Sequence, residues 1–194
     1  MQTLTTPALG DTEVDRYAFV QRLLHWMIAL LVLGALAGGA LLWYFGFQGL
    51  SETFGQPLTG LIYKYHKTAG VLILALMAVR VALRFTLGAP AQHASIPEGQ
   101  ARIAVITHIA LYAMLVIMPI AGWVGTAAGG FPVEFFDAKL PGIVGKDKAL
   151  SEAAFRLHGI LGLAIGALVI LHIGAALRHW LVLKDGVMRR IGLP

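Results

Sequence analysis

The chain has 194 residues, of which 58% are hydrophobic and only 13% charged, with a formal net charge of +5 and a mean hydropathy of +0.76. A soluble domain usually carries about 25% charged residues, so this composition cannot cover a water-facing surface, and an all-α integral membrane protein is expected. The basic residues lie at helix ends and in connections, which disfavours nucleic acid as a partner, and the lack of cysteine excludes disulfides, iron–sulfur ligation, thiolate zinc and covalent c-type haem.

The first twenty residues contain Asp11, Glu13 and Asp15 and no basic start leading into an apolar run; a retained polar tail is expected there, not a signal peptide. Four stretches then reach the roughly 20 apolar residues that a bilayer core requires. The first is expected at about 23–43, with no charge between Arg22 and Glu52. The second, at about 61–83, is interrupted by Lys64, Lys67 and Arg80. The third, at about 103–126, contains Pro119, which is expected to kink it. The fourth, at about 157–183, is uncharged from Leu157 to Leu177. Between them lie the connections Phe45–Gly60, Phe85–Arg102 and Ala127–Arg156. The last is expected to form a short amphipathic element on the membrane surface, anchored by Phe131, Phe135 and Phe136. Trp26, Trp43, Trp123 and Trp180 fall near helix ends, as an interfacial aromatic belt requires. Residues 1–194 thus read as a single four-helix transmembrane bundle with no room for a separate soluble domain. Four spans put both termini on one side; that side carries nine Lys and Arg against six on the other, so the termini are placed in the cytoplasm.

Six of the seven histidines lie in or at the ends of these spans, and His93 sits in a loop. His158 and His172 are fourteen residues apart, close to four helical turns, so both project from one helix face about 21 Å apart. Two imidazoles so placed suit two haems stacked across the membrane, each needing a second ligand from another helix at the same depth. Alternating helix direction brings His66 level with His158, and both His25 and His108 level with His172; spacing leaves the last choice open. Arg80, fourteen residues after His66, falls at the inner level, where haem propionates would pair its charge unless it snorkels to the surface. Arg22 and Arg84 lie nearby. Gly39, Gly70, Gly122 and Gly162 either leave room for a flat macrocycle or permit close helix packing. His66-x-x-x-Gly70 matches His158-x-x-x-Gly162, and Gly39 follows His25 at the distance at which Gly122 follows His108, which suggests two related hairpins. No carboxylate or cysteine within the spans completes a zinc site.

Arg16-Tyr17 and His25-Trp26 open the first helix; His66, Val79-Arg80 and Leu83-Arg84 mark the second. His108, Tyr112 and Pro119-Ile120-Ala121-Gly122 mark the third, and His158, His172, Arg178-His179-Trp180 and Lys184-Asp185 the fourth. In these motifs the chain resembles, from Arg16 to Pro194, the bacterial cytochrome b561 family of four-helix di-haem cytochromes of the inner membrane. More distantly it resembles the cytochrome b subunits of formate dehydrogenases and hydrogenases. The resemblance implies His25, His66, His158 and His172 as iron ligands of two haem b groups. It also implies an oxidoreductase that exchanges electrons with the quinone pool, with ubiquinone as acceptor, and it admits superoxide as donor. His108, His179 and Arg80 are the candidates for meeting a quinone head, His179 being otherwise a helix-end imidazole in headgroup water. Lys64, Lys67, Lys146, Lys148 and Arg156 would steer a small anion to the outer haem, or are ordinary solvated helix ends. The alternative function is a membrane-anchor cytochrome b subunit that relays electrons between a soluble redox partner and quinone. A bundle without cofactor is the third reading.

Overall fold

The structure, a computed structural model, describes residues 15–91 and 96–193. Asp11, Glu13 and His93 lie outside the described residues. Four long helices dominate: α1 (Phe19–Phe54), α2 (Gln56–Leu87), α3 (Glu98–Ala128) and α4 (Lys148–Leu177), the last continuing as a π-helical turn, Arg178–Leu183. Each contains a window apolar enough to cross a membrane, and only 6–11% of the residues in those windows are buried within the protein. The remaining apolar surface needs lipid to cover it.

The first three helices run past both boundaries expected from the sequence, and α4 past its first, because hydropathy marks only the part inside the bilayer while backbone hydrogen bonding continues into the headgroup region. At α4 the cause is local: the Asp147 side chain accepts from the Leu150 N–H at 3.0 Å, a cap that starts the helix well before Leu157. The first connection is also mostly helical. Gly46 breaks α1 with φ 63° and ψ −178°, a backbone region open essentially only to glycine, and a second helical piece runs on to Phe54. Gly55, at φ 81°, alone separates α1 from α2. The third connection, expected to form a short amphipathic element, takes β structure. It holds an antiparallel hairpin, β1 (Val133–Phe135) paired with β2 (Ala138–Leu140), in which Val133 is buried while Phe131 and Phe136 stay exposed.

α1 packs along α2 and α3 along α4; α2 against α3 joins the two hairpins, and α1 touches α4 only briefly. The centre is a cluster of Ile28, Val32, Ile73, Met77 and Ile165. Val32, Ile73 and Ile165 each follow a histidine (His25, His66, His158) by seven residues, two helical turns on the same face. The core therefore sits midway between two levels of imidazoles. Both described chain ends meet at one end of the bundle. There Arg16 Nε donates to the Arg189 carbonyl at 2.9 Å, Arg22 to Gly192 at 2.8 Å, and Trp26 Nε1 to Ile191 at 3.0 Å.

Gly46→Ala is expected to destabilise the protein by about 1–3 kcal/mol through backbone strain. Gly34→Ala, whose Cβ meets nothing within 4 Å, should leave stability unchanged. Thermal unfolding in detergent compares the two.

Candidate functional site

The two histidine levels are called distal and terminal, the terminal one lying nearer the chain ends. At the distal level His66 of α2 faces His158 of α4, with ring centres 6.0 Å apart and planes crossing at 77°. At the terminal level His25 of α1 faces His172 of α4 at 6.2 Å and 68°. His108 of α3 lies 5.4 Å from the same His172 ring. A nitrogen-bound first-row metal sits about 2 Å from the imidazole, and the ring centre lies roughly 1 Å further, so two rings on opposite sides of one ion are centred about 6 Å apart. Both the His66/His158 and His25/His172 separations fit that span, and the His108 distance falls short of it. Among the described residues no three His, Asp or Glu side chains converge to hold a bare metal ion.

Local structure orients the distal rings. The Met118 carbonyl can only accept, so His158 Nδ1, 2.9 Å away, must carry its proton and donate it. Nε2 is then left with the lone pair that a metal needs. His66 Nδ1 is buried against Gly38 and Gly39 of α1. The glycines divide by role. A Cβ on Gly39 would come within 3.1 Å of the His66 ring, and one on Gly122 within 3.0 Å of the His158 ring. These two make room for imidazoles. Gly162 would make only an ordinary contact, and Gly70 faces open space. That space is lined by His66, Gly70, Ile73, Pro119, His158 and Ile165 among others, and every lining residue except the two histidines is apolar. A flat apolar macrocycle with a metal at its centre suits such a lining, and the residues present fit a haem.

At the terminal level Arg80 donates to the Gln21 carbonyl at 3.0 Å and lies over the Tyr112 ring at 5.5 Å. The Arg80 side chain is half-buried and reaches the first turn of α1. Arg22 spends one N–H on Gly192, and its buried Nε has no partner. Of the expected quinone contacts, His108 is exposed on the bundle surface. His179 is instead tied to Asp185 at 2.6 Å, with both side chains mostly buried.

The anion-steering expectation meets a correction at the distal end. Lys64 pairs with Asp137 and Lys67 with Glu134, each at 2.5 Å. Lys148 lies 3.8 Å from Glu152. Sequence reasoning missed Glu134 and Asp137. Their one trace was an acid pair three residues apart, matching the spacing of Lys64 and Lys67.

Comparison with known proteins agrees with this picture. The family model described as prokaryotic cytochrome b561 matches residues 16–192. Cytochrome b561 homolog 2 of Escherichia coli (strain K12) is 26% identical over 178 residues, 91% of this chain and 91% of the relative. Homolog 1 from the same organism is 24% identical over 92% of this chain and 97% of its own length. A probable superoxide oxidase CybB of Yersinia pestis is 25% identical over 91% and 95%.

Gly39→Ala and Gly122→Ala push against the rings of His66 and His158. They are expected to weaken haem retention at the distal level by roughly ten- to a hundredfold, whereas Gly162→Ala retains it. Haem-to-protein ratios after purification measure the difference.

Proposed function

The chain belongs to the prokaryotic cytochrome b561 family, a membrane b-type cytochrome of electron transfer, and we propose that it binds two haem b groups and carries electrons across the bacterial inner membrane to or from quinone. One haem lies between His66 and His158 and the other between His25 and His172. The observation that supports this most is the pair of imidazole couples, 6.0 and 6.2 Å apart, at two depths of one bundle.

Held by a histidine on each side, a haem would supply one-electron transfer chemistry. The chain does the rest. The Met118 carbonyl fixes the tautomer of His158, and Gly39 and Gly122 let the ligand rings approach. The Val32, Ile73 and Ile165 layer excludes water from the space between levels. Arg80 would pair the propionates of a terminal haem, and its positive charge would favour the reduced, more negative state. His108, open to the lipid side at the depth of His172, is the hydrogen-bond partner of the quinone head. His179 is not, because Asp185 already holds it. The termini lie in the cytoplasm, so the distal level faces the opposite compartment. Superoxide, the substrate in the name of the Yersinia pestis relative, is a one-electron donor that suits the chemistry; the charge at the distal mouth decides its access.

Four alanine variants test the assignment. His66→Ala and His158→Ala should each lose one haem per chain and keep the other. His25→Ala and His172→Ala should lose the opposite one, as read by reduced-minus-oxidised spectra with potentiometric resolution. Loss of a haem in His108→Ala with retention in His25→Ala would reassign the terminal ligand. Under the proposed assignment, His108→Ala keeps both haems, and reduction by quinol slows roughly a hundredfold or more, the scale of a lost proton-transfer partner.

A further inference from the structure

The β1–β2 hairpin is fastened to the turn of α2 that carries His66. Besides the pairs Lys64–Asp137 and Lys67–Glu134, Lys67 donates to the Pro132 carbonyl at 3.3 Å. The Phe136 N–H donates to Thr68 Oγ1 at 3.0 Å, and Thr68 is 2% exposed. The lysines flank His66 in sequence and keep 26% and 21% of their side chains exposed, whereas Asp137 is 95% exposed. An ion pair as open as Lys64–Asp137 adds little to stability; its effect lies in the charge it cancels. The distal end as a whole carries six Lys and Arg against five carboxylates, Glu52, Glu134, Asp137, Asp147 and Glu152. Long-range attraction of a small ion depends on the net local charge, and here the positive charge nearest His66 is neutralised.

Resting on the reading that His66 holds the distal haem, we propose that Glu134 and Asp137 are specificity-determining residues of the distal mouth. By pairing with Lys67 and Lys64 they remove the attraction for small anionic donors and set the mouth for a donor without negative charge. The hairpin is the carrier of this charge setting, and superoxide gains no pull from the two lysines.

The test uses the purified haem-loaded protein and its Glu134→Gln, Asp137→Asn and double variants. Haem reduction is followed with two one-electron donors, the sulfur dioxide radical anion from dithionite and the hexaammineruthenium(II) cation. Each gives one electron to one ferric iron. At low ionic strength the double variant should be reduced about tenfold faster by the anion, the lower end of electrostatic steering, and more slowly by the cation. Both differences should vanish in salt near 0.2 M, where the screening length is roughly 8 Å or less. The midpoint potential of one haem should rise. Adding Lys64→Gln and Lys67→Gln to the double variant should restore the parent rates. An unchanged anion rate overturns the proposal, as does equal acceleration with both donors, which signals a loosened hairpin. A parent protein without haem fails the underlying reading instead, and its spectrum shows this before any variant is compared.

Discussion

An imidazole inside a bilayer is costly unless something satisfies it, and four of them turn toward the interior of this bundle, His25, His66, His158 and His172, with His108 exposed beside them. They are gathered at two depths, with apolar side chains filling the distance between. The spacing that achieves this is a doubled heptad. His158, Ile165 and His172 succeed one another at seven-residue steps on one face of α4, so a single helix offers a ligand, a packing residue and a second ligand in line. α2 repeats the pattern as His66, Ile73 and Arg80, and α1 as His25, Val32 and Gly39. The substitutions at the last step are informative. Where α4 has a second ligand, α2 places a cation at the terminal level and α1 places room for the His66 ring at the distal level.

The two levels are held in different ways. At the distal level, helix backbone and missing side chains do the work: a Met118 carbonyl, Gly39, Gly122 and a hairpin buttress on α2. At the terminal level, arginines and a tryptophan lace the C-terminal segment onto the start of α1, and Arg80 brings a half-buried positive charge. A cation so close favours an added electron. The two levels therefore differ in their surroundings: paired charges flank the distal one, and a cation stands at the terminal one.

The same contrast bears on what reaches each level. The distal level is flanked by a hairpin with paired charges, and at the terminal level His108 is exposed on the outer face of the bundle. Under the proposed function, a soluble donor and a quinone would approach from these two chemically distinct sides.

The sequence by itself determined the membrane as solvent, the four spans and the two-level placement of the histidines. Each follows from a local quantity, either charge density along the chain or the 3.6-residue period of a helix. Period also placed Arg80 at the terminal level. Pairing was a different matter. His25 and His108 are equivalent in depth, and only the lateral positions of α1 and α3 around α4 separate 6.2 from 5.4 Å. Likewise Lys64 and Lys67 read as free cations until the chain folds back through β1 and β2 to set Asp137 and Glu134 beside them. Helix ends extended past the apolar stretches because hydrogen bonding does not stop at the bilayer surface. Depth is written along one helix; which neighbour meets it is decided only when helices from distant parts of the chain pack together.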